Sequence, residues 1–264
     1  MTGADKKCAA AMPRPSDHGV AVLIPCFNED ATIGKVVADF RAALPDATIY
    51  VYDNNSTDRT ADVARKAGAI VRSEILQGKG NVVRTMFADI DADIYVLVDG
   101  DDTYDATCAP TMVSLLADNR LDLVSGSRIS SRDEAYRRGH RAGNIVITKL
   151  VAWIFGPRFR DMLSGYKVLS RRFVKSFPIM TSRGFEIETE ITIHALELNM
   201  PTREIGSPYK ERPTGSVSKL RTYRDGLRIV WAIFLMVKDE RPLVFFSLLS
   251  VGFVGAALVL AIPI

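Results

Sequence analysis

The residues best suited to chemistry stand in three short clusters, each following an apolar run. Asp99-Gly100-Asp101-Asp102 ends DIYVLVDGDD, Asn28-Glu29 follows GVAVLIPCF, and Asp53-Asn54-Asn55 follows TIYVY. An Asp-x-Asp pair by itself is a weak signal, because turns also select Asp and Gly. Joined by two other acidic clusters at strand ends, it becomes a candidate cation site. Carboxylate oxygens hold Mg²⁺ or Mn²⁺, and such a cation neutralises the charge gathering on a nucleotide-diphosphate leaving group. Asp99 and Asp101 are the candidate metal ligands. Asp102 is an additional acid that loop solvation explains equally well.

These clusters need a scaffold that gathers strand ends. Short β-branched runs at 19–27, 48–52, 69–71 and 93–98 alternate with helical spacing at 31–44, 57–67 and 80–90. Such alternation predicts βαβ units and a mostly parallel sheet covered by helices on both faces. In open α/β sheets the ligand lies beyond the carboxyl ends of the strands, where all three clusters fall. Past residue 109 the alternation loosens. The expectation there is helix 110–117, strand 121–126, a basic loop 128–141, helix 144–155, strand 165–169, helix 186–198 and strand 202–205.

Composition bounds the function. The 264 residues are 47% hydrophobic and 25% charged, which excludes disorder, collagen and coiled coil. A net charge of +3 is too balanced to imply nucleic acid. Cys8, Cys26 and Cys108 are scattered without CxxC spacing, against a disulfide framework or a cysteine zinc site, and fit a reducing compartment. Three histidines, His18, His140 and His194, argue against a multi-histidine centre.

One anomaly stands at the C-terminus. The stretch 243–264 carries no charge and at about 1.5 Å per residue would cross the ~30 Å hydrocarbon core. It is expected to be a transmembrane helix. Lys238 and Arg241 put its upstream side in the cytoplasm by the positive-inside rule. Residues 220–240, apolar and aromatic with basic residues in the first turns, predict an amphipathic helix in the membrane interface. Residues 1–18 read as a disordered leader, and 19–219 as the cytosolic domain.

The series LIPCFNE, YVYDNNSTDRT, QGKGNVVR and YVLVDGDDTY resembles the nucleotide-sugar half of inverting family-two glycosyltransferases with the GT-A fold. The later segments SGSRIS, DMLSGYKVLSRR, GFEIETEITIHA and YKERPTGSVSKL resemble the branch that glycosylates a polyprenyl phosphate, as dolichyl-phosphate mannose synthases do. The resemblance implies a UDP- or GDP-sugar donor, a polyprenyl-phosphate acceptor, inversion at C1, Mg²⁺ or Mn²⁺, and work at the cytoplasmic face of the cell membrane.

It also implies roles for residues. Pro25, Asn28 and Glu29 would line the nucleoside pocket, and Asp53 would contact base or ribose. Gly78, Lys79 and Gly80 would let the backbone approach the nucleotide, with Lys79 near the phosphates. Asp99 and Asp101 would form the metal and sugar-diphosphate motif. Arg128 matches a position near the reacting phosphates, and Asp161 begins the segment beside the acceptor. A phosphate acceptor is already an anion, so Asp161 positions groups more than it abstracts a proton. Glu188 is preferred to Glu190 for the residue facing the sugar. Arg212 and Lys219, in a loop bounded by Pro213 and Gly215, suit capture of a lipid phosphate. A generally basic juxtamembrane patch is the competing explanation of those charges.

Other functions compete. A transferase acting on a glycan or other hydroxyl is the first, and a polysaccharide synthase is disfavoured by a single expected span. A non-catalytic nucleotide-binding membrane protein would not need both Asp99 and Asp101. A nicotinamide-binding protein is weaker still, since no GxGxxG follows the first strand.

Overall fold

The computed structural model describes residues 19–129, 148, 159–178, 184, 186–213, 231, 234, 238 and 242–261. The expected leader 1–18, Lys219, and most of the 128–141 loop, the 144–155 helix and the 220–240 interfacial helix lie outside the described residues.

Among the described residues seven strands form one sheet: β1 Val20–Cys26, β2 Thr48–Asp53, β3 Ile70–Ser73, β4 Ile94–Leu97, β5 Leu123–Ile129, β6 Lys167–Ser170 and β7 Thr202–Pro208. Their order is β3-β2-β1-β4-β6-β5-β7. Pairing is parallel except at β6, which runs antiparallel to both β4 and β5. This is the expected α/β fold with a mostly parallel sheet.

Both faces of the sheet are covered, so the central strands read as unbroken apolar runs rather than alternating ones. Val22, Ile24, Ile94 and Val96 pack into one core cluster with Ile33, Val37 and Phe40 of α1 (Ile33–Ala43) and Met112 of α4 (Ala109–Asp118). Ala21, Leu23, Tyr95 and Leu97 pack into the other, against Val83 and Met86 of α3 (Lys79–Asp89) and Ile187 and Ile191 of α6 (Ile187–Glu197). A short helix α2 (Thr60–Lys66) joins β2 to β3. Another, α5 (Arg171–Ser176), follows β6 and was not expected; Ser170 caps it by accepting the Phe173 N–H. Cys26 is a free buried thiol.

Among the described residues no helix is long and apolar enough to cross a membrane. The nearest is α7 (Pro242–Ala261), twenty residues without a charge. Within it Leu243, Val251, Phe253 and Leu260 are all exposed.

Candidate active site

The strand order changes direction between β1 and β4, and the crevice beyond their carboxyl ends is the topological switch point of the sheet. A cavity of about 240 Å³ opens there, lined by Pro25, Cys26, Phe27 and Glu29 after β1, Asn54 after β2, and Asp99, Gly100 and Asp101 after β4. Gln77, Gly78, Lys79 and Val82 from the start of α3, with Arg212, complete its wall. The chain must turn sharply as it leaves each strand. Asn28 (φ 52°), Asn55 (φ 63°) and Asp102 (φ 57°) take the left-handed conformation there, which short polar side chains tolerate best.

Side chains then hold these turns to one another. Asn28 Oδ1 accepts the Thr57 N–H at 2.7 Å, and Thr60 Oγ1 accepts the Glu29 N–H at 2.8 Å. Asn54 organises the loop before α3: its Nδ2 donates to the carbonyls of Glu74 (2.8 Å) and Leu76 (2.9 Å), and its Oδ1 accepts the Gly78 N–H at 2.7 Å. Gly78 sits at φ 128° as the residue preceding α3, a conformation that requires glycine. The α3 N-terminus thus stands at the cavity wall through Gly78 and Lys79, where an anion is favoured. Asp53 Oδ1 is buried without a hydrogen-bond partner, an unmet acceptor at the strand end.

Lys79 lies at the centre of the charge network. Its ammonium bonds Asp99 Oδ1 and stands 2.5 Å from Glu188 Oε1. Burial opposes the charge on Lys79, but Asp99 and Glu188 outweigh it and raise the pKa. Burial raises the Glu188 carboxyl, against the pull of Lys79. Gly165 makes the arrangement possible, since a Cβ there would collide with the Asp99 carboxylate and press on Glu188 Oε1 at 3.1 Å. Below them Lys167 is fully buried on β6, with Nζ 2.6 Å from the Ser164 carbonyl. Burial pulls its pKa down to about 8, against the raising influence of Glu188 and Asp161.

Asp101 is 3% exposed. Its Oδ1 accepts the Thr103 hydroxyl at 2.6 Å, and its Oδ2 pairs with Arg212 Nη2 at 2.6 Å. Burial and the Asp99 charge raise its pKa, which Arg212 opposes. Among the described residues no group of three or more His, Cys, Asp and Glu gathers to hold a metal alone. Two carboxylates on one cavity nevertheless suit Mg²⁺ or Mn²⁺ at a diphosphate, where phosphates and water complete the shell. The donor set fits such a cation.

A second charged pair flanks the cavity. Arg128 grips Asp161 through Nε at 2.7 Å and Nη2 at 2.8 Å, the two-pronged geometry special to arginine. Its guanidinium also lies 5.6 Å from the Tyr209 ring centroid. Glu204, on β7, accepts the backbone N–H groups of Arg160 and Asp161 at 3.0 Å and so fixes the loop that carries Asp161.

The structure thus brings Pro25, Glu29, Gly78, Lys79, Asp99, Asp101 and Arg212 to one cavity. Glu188 reaches it through Lys79, while Arg128 and Asp161 pair with each other beside it. Gly80 is buried one residue inside α3. Asn28 and Asp53 follow β1 and end β2. Arg212, expected at an acceptor phosphate, is placed on Asp101. Glu190 is buried further along α6. The sequence places Asn54 in a strand-end cluster without giving it a role of its own, and it does not single out Lys167 or Glu204. Nothing in a one-letter pattern distinguishes the last two from surface charges.

Solved structures share this architecture. Glucosyl-3-phosphoglycerate synthase from Mycobacterium tuberculosis, in complex with Mg²⁺ and uridine diphosphate, superposes with a TM-score of 0.62 at 24% identity, over 75% of this chain and 73% of its own. Two sequence relatives come from Haloferax volcanii. Glycosyltransferase AglJ is 37% identical over 245 residues, 92% of this chain and 79% of the relative. A dolichyl-phosphate hexose transferase is 30% identical over 222 residues, 84% of this chain and 95% of the relative. The match to the domain Glycosyl transferase family 2 runs over residues 21–179, which takes in the strand ends, the α3 loop and the Asp161 segment described above. The chain is a glycosyltransferase and belongs to glycosyl transferase family 2.

Proposed function

We propose that the protein transfers a monosaccharide from a UDP- or GDP-sugar to a polyprenyl phosphate, with inversion at C1 and with Mg²⁺ or Mn²⁺, at the cytoplasmic face of the cell membrane. The observation carrying this reading is the pairing of Asp99 and Asp101 with Lys79 and Arg212 around one cavity. Two acids and two cations at a strand-end crevice match a metal-bound diphosphate. Asp99 and Asp101 would hold the cation, which when bound neutralises charge on the leaving diphosphate. Lys79, at the α3 N-terminus, faces the same phosphates.

The acceptor's phosphate oxygen attacks C1 from the face opposite the diphosphate. A new C1–O bond forms as the bond to the donor phosphate breaks, its electron pair leaving with the nucleoside diphosphate. No proton moves. The pairing of two buried carboxylates beside the cavity agrees with this, Glu188 with Lys79 and Asp161 with Arg128. A hydroxyl acceptor would need a carboxylate as general base. The name of the dolichyl-phosphate hexose transferase supports the lipid-phosphate class, and the exposed apolar helix α7 suits attachment to a bilayer.

The test uses the full chain with a panel of UDP- and GDP-sugars, Mg²⁺ or Mn²⁺, and either a short polyprenyl phosphate or hydroxyl acceptors. One nucleotide sugar should raise the melting temperature, as a ligand of the native state must, and its sugar should appear on the lipid phosphate with inverted configuration. Transfer to hydroxyls with the phosphate inert would overturn the proposal.

A further inference from the structure

Arg212 belongs to the loop following β7, yet it pairs with a residue of the cation motif. Asp101 has both oxygens engaged: Oδ1 by the Thr103 hydroxyl (2.6 Å) and N–H (3.2 Å), Oδ2 by Arg212 Nη2 (2.6 Å). A cation approaching Oδ2 meets the Arg212 guanidinium already 2.6 Å from it, and two positive charges on one buried oxygen repel each other. Thr103 is two residues away and held by the turn itself. Arg212 extends a long side chain, 29% exposed, across the cavity wall. The arginine is the exchangeable partner.

The backbone returns it to the same place. The Lys210 N–H donates to the Thr103 carbonyl at 2.9 Å, and Tyr209 bridges Tyr104. The loop is thus pinned to the segment that carries Asp101, and only the side chain beyond needs to move. Once displaced, its guanidinium stands at a cavity suited to phosphate, whose oxygens match the planar fork.

We propose that Arg212 holds the cation position on Asp101 in the empty enzyme, and that a divalent cation and a phosphate oxyanion displace it together. The cation takes the carboxylate as the arginine turns to the phosphate, so each ligand tightens the other. The phosphate belongs either to the donor diphosphate or to the acceptor. The inference rests on the metal-dependent donor site proposed above.

The test reads Mn²⁺ binding directly, by the electron paramagnetic resonance signal of free Mn²⁺, on the full chain. Wild type, Arg212→Ala, Arg212→Lys and Asp101→Ala are titrated alone, with UDP, and with UDP plus a short polyprenyl phosphate. Removing the competing cation should let Arg212→Ala bind Mn²⁺ alone about five- to tenfold more tightly than wild type, a usual size for such coupling. Arg212→Lys should fall between. If UDP then tightens Mn²⁺ less in Arg212→Ala than in wild type, the arginine moves to the donor diphosphate. If that coupling survives but the polyprenyl phosphate binds at least tenfold more weakly, it moves to the acceptor. Mn²⁺ affinity that is unchanged or lower in Arg212→Ala overturns the exchange, as does a variant altered in neither phosphate arm. Mn²⁺ binding absent from every protein even with UDP, or undiminished in Asp101→Ala, overturns the metal site itself.

Discussion

Lys79 and Glu188 are separated by 109 positions in sequence, yet their charged atoms meet at 2.5 Å, with Asp99 on the same ammonium. This contact ties the start of α3 to the first turn of α6 across the end of β4. One ammonium thus serves two carboxylates, and Glu188 is committed to a cation.

That pairing gives a stability prediction. Lys79→Met leaves Asp99 and Glu188 facing each other without a cation, and breaking a buried pair from one side costs about 3–5 kcal/mol. Adding Glu188→Leu removes the stranded charge, so the double variant should be more stable than the Lys79→Met single. Denaturant unfolding of both variants checks this. A double variant losing the sum of the two single losses would show that the residues do not act as a pair.

Lys167 gives a pH dependence of opposite sign from the usual lysine. Its native pKa of about 8 lies below the ordinary lysine value of 10.5, so between those values the unfolded chain binds more protons than the native one. Stability therefore rises with pH across that window. The burden is fully present below about pH 8 and on the order of 3 kcal/mol. Tyr52 and Tyr104 are pushed up mainly by burial and act the other way once free tyrosine begins to ionise near 10. The comparison thus belongs between pH 7.5 and 9.5. The melting temperature of wild type should climb over that interval relative to Lys167→Met. Parallel curves for the two proteins would contradict the assignment.

Much of this site is legible in sequence, and the limits are physical. β1, β2 and β4 stand out because burial on both sheet faces demands unbroken apolar runs, and polar clusters directly after them mark the crevice. The antiparallel course of β6 is invisible, because alternation along a strand carries no direction. Helix α5 is too short for a periodic pattern and shows only its capping Ser170. Lys167 in SGYKVLS looks like a strand terminus; its burial and the charges of Asp161 and Glu188 that act on it from other elements appear only in the folded chain. Arg212 reads as an acceptor ligand from its basic neighbours. Only the Thr103–Lys210 contact reveals that it reaches Asp101.

Arg128 and Asp161 supply a prediction about the acceptor. The guanidinium spans both carboxylate oxygens, which a lysine ammonium cannot reproduce. Arg128→Lys should keep the charge while losing the fork, at about 1.5–3 kcal/mol. Acceptor kcat/KM should fall roughly tenfold to a hundredfold, with the donor Kd nearly unchanged because the donor cavity does not include Arg128. A donor affinity that falls in step would place this pair in the donor site.

The apolar C-terminal helix gives the last prediction. Residues 243–264 carry no charge, and α7 exposes Leu243 (82%), Val251 (69%), Phe253 (68%) and Leu260 (75%). Exposed valine and leucine on successive turns form an apolar surface too large to leave in water, and lipid is the solvent that suits it on all sides. Trp231 stacks on Phe234, which meets Phe245 edge-on, so aromatic rings mark the base of α7 where a headgroup layer would lie. Deleting 243–264 should move the protein to the soluble fraction, or leave only attachment that salt removes, since the upstream basic residues act through screened charge. The donor site lies far upstream in sequence, so the truncated chain should still bind Mn²⁺ with UDP while losing transfer to long polyprenyl phosphates. Membrane fractionation in high salt and in alkaline carbonate distinguishes the cases. A truncated protein that resists both treatments would place the membrane anchor elsewhere in the chain.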